Sequence, residues 1–238
     1  MPIRVQNDLP VKEILESENI FVMDEHRAMH QDIRPLNVLI LNLMPTKIIT
    51  ETQLLRKLSN TPLQICVDFL QTASYTSTHT DPEHLKQFYY TFDQIKDRRY
   101  DGMIITGAPL DYVPYEETAY WDEVCKIMEW TKTHVHCTFH LCWGAYAGLY
   151  YHYGVQKHLL PTKKFGIFRQ KVMNPTLASV PRFRRHVQYA AQSPYRGARG
   201  GDTHTLGIGH RSRVGGEWNE HRICAQRQTD IHNRTHGV

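Results

Sequence analysis

Lysine is absent from residues 172–238, although residues 1–171 carry 11 of them. The net charge of +4 is therefore not one evenly basic surface, because the lysine-free stretch holds 10 Arg, 6 of the 15 His and 8 of the 14 Gly. Cysteine is also scarce. Five residues (66, 125, 137, 142 and 224) form no short-spaced pair, which excludes a zinc pattern and a disulfide scaffold and leaves reduced thiols. No apolar run approaches the roughly 18 residues of a membrane span. The opening MPIRVQNDLP lacks the apolar stretch of a signal peptide, so a cytoplasmic protein with no membrane association is expected.

What remains has the composition of an ordinary globular protein, 41% hydrophobic and 22% charged, with enough chain for one sizeable core. Strand-like and helix-like segments alternate. Pro35 to Pro45 is a short apolar run that suits a buried parallel strand. A helical stripe of Leu54, Leu55 and Leu58 follows within Thr50 to Leu58, then a strand from Leu63 to Leu70. Pro82 to Ile95 reads as one helix, with Asp81 as its cap and Pro82 in its first turn. Asp101 to Pro109 is a strand entering a glycine loop, Tyr120 to Lys132 a helix, and His134 to Leu141 a strand. Repeated β-α units of this kind predict an α/β fold, a mostly parallel sheet with helices on both faces. Ligands of such sheets sit at the carboxyl ends of the strands.

Cys142-Trp143-Gly144-Ala145 stands where the last of these strands meets a helix running to Tyr150. That is the layout of a nucleophile elbow, in which one residue turns sharply to expose its side chain and small neighbours let the helix start close by. A thiol at a helix N-terminus meets the positive end of the helix dipole, which favours the thiolate. The backbone amides of Trp143 and of Gly107, at the end of another strand, are the expected oxyanion donors. The plain alternative is a buried cysteine that happens to precede a helix.

Four stretches, ENIFVMDEHRAMHQDIRPLNVLILNLMPTKIITETQLLRKLSNTPLQ, DGMIITGAP, YWDEVCKIMEW and LCWGAYAGLYYHYG, closely resemble homoserine O-acyltransferases. The resemblance covers residues 1 to about 175. It implies the class I glutamine-amidotransferase-like (flavodoxin-like) fold and no cofactor beyond acetyl-CoA or succinyl-CoA as co-substrate. It further implies transfer of the acyl group to L-homoserine in the first committed step of methionine biosynthesis, with Cys142 as the acyl-enzyme nucleophile. Lys163, in LLPTKKFGIF, is implied as an amino-acid binder, and position 111 as the selector of the acyl group. Lys47, in LMPTK, is implied at the acyl-CoA site, its alternative being a solvated loop lysine. Glycine at position 111 goes with succinyl-CoA in this family and glutamate with acetyl-CoA. Asp111 keeps the charge that repels a succinyl carboxylate, so acetyl-CoA is expected. The alternative for Asp111 is a turn residue facing solvent. Tyr146 departs from the family's usual glutamine. A homodimer like the family's is allowed where the frame is intact, and no nucleic-acid partner is expected.

A cysteine nucleophile needs a general base, which the family supplies late in the chain from a Gly-His-x-Glu-Tyr motif. This chain has no such motif. His134, His136 and His140 lie on or beside the strand before Cys142, and His152 is about three turns along the helix. Residues 176–238 show no sustained hydrophobic period and have the composition of a disordered tail. Shifting the reading frame by one base makes them intelligible. With a suitable choice of synonymous codons, Asp230 through Val238 can then read Ile-Phe-Ile-Thr-Gly-His-Thr-Glu, Arg182 through Ser193 can read Gly-Phe-Asp-Asp-Thr-Phe-Ser-Met-Pro-His-Ser-Pro, and Gly216 through Gln226 can read Glu-Ser-Gly-Met-Asn-Ile-Gly-Phe-Ala-His-Asn. Three family-like segments in one frame and in the correct order indicate a frameshifted C-terminal third, with the slip between about residues 175 and 182. The base and its acidic partner then fall at slots occupied by Thr235 and Gly237. The domain expectation is an incomplete acyltransferase domain over 1–175 and a frameshifted, unstructured tail over 176–238, with doubtful activity. The alternatives are succinyl transfer, serine as acceptor, a glutamine-amidotransferase-like hydrolase, a pseudogene product, and an arginine-rich nucleic-acid-binding tail.

Overall fold

The computed structural model describes residues 3–6, 8–23, 34–75, 80–171, 186–197, 208–214 and 217–226, with side chains as far as residue 158. The parallel strands are β1 (Ile3–Arg4), β2 (Val22–Met23), β3 (Leu36–Leu41), β4 (Ile65–Leu70), β5 (Tyr89–Tyr90), β6 (Tyr100–Ile105) and β7 (Val135–Leu141). Between them run helices α1 (Val11–Ser17), α2 (Lys47–Leu58), α3 (Pro82–Phe88), α4 (Phe92–Ile95) and α5 (Trp121–His134), and α6 (Trp143–Tyr153) follows β7. The later strands are β8 (Lys157–Lys171), β9 (His186–Gly197), β10 (Ile208–Val214) and β11 (Glu217–Gln226).

The main sheet has the order β10-β11-β7-β6-β3-β4-β1-β2, with β5 on β4, while β8 and β9 form a separate antiparallel pair. This is the α/β parallel architecture that the alternating pattern predicts. Register brings the strand ends level: Leu41 lies opposite both Leu70 and Ile105, and Ile105 opposite His140. The loops after β3, β4 and β6 therefore share one edge of the sheet with Cys142. Alternation along β3 divides the core in two. Leu39 and Leu41 pack with Val124, Ile127 and Met128 of α5 and with Trp143 and Ala147 of α6 on one face. Ile40 packs with Val11 and Leu15 of α1 and Leu55 of α2 on the other. No helix among the described residues is long and apolar enough to cross a membrane.

One expectation differs from the structure. The single helix over Pro82 to Ile95 is broken at Tyr89-Tyr90, which turn extended (Tyr89 φ −113°, ψ 136°) and pair with Phe69 and Leu70 of β4. A new helix then starts at a Thr91–Gln94 capping box. Bulky aromatics suit a half-buried strand better than a helix interior, and the sheet edge supplies the pairing. The cap at the other end is as expected, with Asp81 accepting from the Glu83 amide. Within residues 176–238 the described residues are those of β9, β10 and β11. Of these, β11 pairs parallel with β7, Gln226 opposite Leu141. Backbone groups on an open strand edge can be satisfied by a neighbour without any apolar period, which is why no periodicity announces these strands.

Candidate functional site

Cys142 is the N-cap of α6 and has φ 51° and ψ −119°. A non-glycine residue at positive φ is strained, and such strain gathers at functional sites. The amides of Ala145 and Tyr146 close the first turn on the Cys142 carbonyl at 3.0 and 3.3 Å. The side chain is partly exposed. This is the elbow that the strand–Cys–Trp–Gly–Ala pattern predicts.

The turn is possible because its neighbours lack side chains. A Cβ on Gly144 would come within 2.6 Å of the Thr106 carbonyl oxygen, so α6 crosses the end of β6 at a distance only glycine allows. A Cβ on Gly107 would lie 2.9 Å from Cys142 Cβ, 3.3 Å from its Sγ and 3.6 Å from the Trp143 amide nitrogen. The two segments expected to supply oxyanion donors thus meet at the thiol. Thr106 holds the glycine loop: its hydroxyl accepts from the Leu43 amide at 2.8 Å and donates to the Gly107 carbonyl at 3.1 Å. Trp143 is buried against Tyr115, Tyr120 and Trp121, and Tyr146 is accommodated at the margin of the same cluster.

A cleft of about 220 Å³ opens beside these loops, with Asn42, Lys47, Gln71, Tyr75, Leu110 and Val113 among its walls. Lys47 is not a solvated lysine. It is 7% exposed, its ammonium donates to the Asn42 carbonyl, and it lies 5.4 Å from the centre of the Tyr89 ring. Burial lowers its pKa to about 8, against the opposing pull of the Glu51 carboxylate. Asp111 is half-buried in a turn of the loop after β6. Leu110 and Val113 on either side of it line the cleft, whereas Asp111 itself does not. Lys157, at the start of β8, donates to the carbonyls of Asp111 and Val113 at 3.2 and 2.6 Å and so anchors that turn. Lys163 lies in β8, where the pairing with β9 shifts between Leu159 and Lys164; its side chain is outside the described residues.

Three histidines lie on or beside β7. His134 is half-buried, its ring stacked on Trp130, and His136 is exposed. His140 is buried, its Nδ1 lies 3.1 Å from the Gly144 carbonyl, and burial lowers its pKa to about 4. A ring tied to the backbone and packed on Gly148 is a structural group. Positions 235 and 237 lie outside the described residues. Among the described residues, no three His, Cys, Asp or Glu side chains gather as metal ligands.

Sequence reasoning missed the surroundings of Lys47. Glu51 is fully buried and its Oε1 takes hydrogen bonds from Tyr89 and from His84 Nε2, the latter at 3.0 Å. The available signal was the i, i+4 spacing of Lys47 and Glu51, which places them on one helix face once α2 begins at Lys47.

A sequence model of the homoserine O-succinyltransferase family matches residues 2–203. Curated relatives bear a different acyl group in their names. The homoserine O-acetyltransferase of Agathobacter rectalis is 62% identical over 183 residues, 77% of this chain and 59% of that protein. Those of Lachnoclostridium phytofermentans and Bacillus licheniformis are 64% and 61% identical over 174 and 173 residues, each 73% of this chain and 58% and 57% of the relative. The chain thus spans a little under three-fifths of the length of the relatives it matches. With the nucleophile elbow, the glycine loop and the matched sequence in agreement, the chain belongs to the homoserine O-succinyltransferase family.

Proposed function

We propose that this fold carries out acyl transfer from acyl-CoA to the hydroxyl of L-homoserine through a thioester on Cys142. The supporting observation is the strained Cys142 at the head of α6, with the Gly107 loop standing against its sulfur and beside the Trp143 amide. The Cys142 thiolate attacks the acyl carbonyl, and negative charge gathers on the carbonyl oxygen between the Gly107 and Trp143 amides. Coenzyme A leaves as its thiolate and takes up the proton that the general base removed from the Cys142 thiol. The homoserine hydroxyl then attacks the new thioester, loses its proton to a general base, and releases Cys142. Lys163 binds the amino acid, and Lys47 serves the acyl-CoA side of the cleft. The sheet is read as class I glutamine-amidotransferase-like, and the enzyme as a cytoplasmic one that needs no cofactor beyond acyl-CoA and opens methionine biosynthesis. A homodimer goes with the intact frame.

Acetyl-CoA is the favoured donor. The relatives' names support it, and so does a carboxylate at Asp111, beside two residues of the cleft wall, which would repel the free carboxylate of a succinyl group. The chain as it stands lacks the base. We read residues beyond about 175–182 as frameshifted, and the matched lengths of 172–183 residues against relatives that are much longer support this reading, while the family model reaches 203. The end of β11 lies beside Leu141, at the sheet edge where a base must approach Cys142. Comparing kcat/KM of the frame-restored protein for acetyl-CoA and succinyl-CoA, before and after Asp111→Gly, tests the donor assignment. Acetyl-CoA is expected to lead by tenfold or more and to lose that lead in the variant; a succinyl-CoA preference at the outset refutes it.

A further inference from the structure

Resting on the reading that Lys47 serves the acyl-CoA side of the cleft, we propose that Glu51 is a positioning residue: it seats the Lys47 ammonium, which in turn fixes the loops flanking Cys142. The geometry runs through four elements. Glu51 sits one helical turn after Lys47 on α2, with 0% exposure. Tyr89 of β5 and His84 of α3 both bond its Oε1, so that oxygen is clamped from two sides. Its Oε2 is buried and accepts no hydrogen bond among the described residues. A carboxylate buried in this state needs a compensating cation, and Lys47 is the buried ammonium on the same helix face.

From Lys47 the contacts continue to the thiol. The ammonium donates to the Asn42 carbonyl, which shares its peptide group with the Leu43 amide. That amide donates to Thr106 Oγ1 at 2.8 Å, and Thr106 donates to the Gly107 carbonyl at 3.1 Å. Gly107 stands against Cys142, 3.3 Å from Sγ at the place a Cβ would occupy. The Asn42 amide group also donates to the Tyr89 hydroxyl at 2.9 Å, which ties the β3 loop back to the Glu51 clamp. A charge placed between α2, α3 and β5 thereby holds two loops at the active edge of the sheet. Low local dielectric makes such a chain of bonds stiff.

The test uses the 238-residue chain, because neither readout requires turnover. Competitive acetic anhydride labelling, read by peptide mass spectrometry, gives the titration midpoint of Lys47. It is expected near 8 in the parent and lower by about one unit or more in Glu51→Gln, which keeps an acceptor for Tyr89 and His84 but removes the charge. Iodoacetamide alkylation of Cys142 reads the far end, and is expected to change by about threefold or more in the same variant. An unmoved Lys47 midpoint, or an unmoved Cys142 rate, overturns the proposal. If Glu51→Gln does not fold, Glu51→Gln/Lys47→Met is expected to recover the fold because both charges are gone; a double variant that also fails overturns the coupling. Acetyl-CoA affinity is measured alongside. If it is unaffected by Lys47→Met while both labelling effects appear, the positioning role stands and the acyl-CoA reading of Lys47 falls.

Discussion

The strands up to β7 and those after α6 are built on different principles. The early ones are parallel, joined through helices, and carry apolar residues on both faces, as in β3 with Leu39 and Leu41 on one side and Ile40 on the other. The late ones form antiparallel pairs, β8 with β9 and β10 with β11, and β9 to β11 come from a stretch rich in Arg, His and Gly. Parallel strands need buried faces and crossovers, so they leave a hydrophobic pattern in the sequence. Antiparallel ladders are held first by backbone groups. The proposed chemistry divides along the same line, with the proposed nucleophile and oxyanion loop early and the proposed position of the base late.

The largest effect expected from this division is on turnover. Restoring the downstream frame should raise acetyl transfer to homoserine by about three orders of magnitude or more, the scale on which a base and its orienting acid act. Equal turnover in the two proteins would remove the division altogether.

Within the early region, His140 should impose an acid limit on stability. Burial lowers its pKa in the folded protein to about 4, below the 6.5 of a free histidine, so the unfolded state binds the extra proton between those values. Stability from this group is complete above about pH 6.5 and is lost as pH falls towards 4, by roughly 3 kcal/mol in all. Urea unfolding followed at pH 7 and pH 4.5 reads this directly, and His140→Gln should flatten the slope. An unchanged slope in the variant would assign the acid sensitivity elsewhere.

Gly107→Ala probes the oxyanion loop. The new methyl would stand 2.9 Å from Cys142 Cβ and 3.3 Å from its sulfur, and kcat of the frame-restored enzyme should fall by about a hundredfold with a smaller drop in melting temperature than Gly144→Ala gives. Gly144→Ala should act on the fold instead, costing about 2 kcal/mol because the methyl meets a carbonyl oxygen at 2.6 Å. If the two variants exchange these phenotypes, the roles assigned to the two glycines are reversed.

Hydrogen exchange separates the two kinds of strand most gently. Amides of β3, β6 and β7 should be protected by about a hundredfold more than those of β9 and β10, whose antiparallel pairs contribute few large aliphatics. Uniform protection across both would show that the late strands belong to the same cooperative unit as the early ones.

The parts of the site legible in the sequence are those made by neighbours along the chain. Cys142 could be placed because a strand, a turn with small residues and a helix follow one another within LCWGAYAG. Gly107 could be paired with it because both stand at strand ends, which a parallel sheet brings to one edge. The extended Tyr89-Tyr90 was hidden, since the helical spacing runs through it and its partner, β4, lies about twenty residues away. The Glu51 clamp was hidden for the same reason, as it joins α2, α3 and β5. Lys47 was legible as a candidate but not as a buried group, because its burial depends on Asn42 and Tyr89.

The thioester at Cys142 is the claim on which the rest depends, and one measurement reaches it. The frame-restored protein is mixed with acetyl-CoA without homoserine, quenched in acid, digested and examined by mass spectrometry. The account predicts one acetyl group on the peptide bearing Cys142, removed by hydroxylamine and discharged when homoserine is added. Acetyl transfer that proceeds with Cys142 unmodified, or with the acetyl group on another residue, would contradict it.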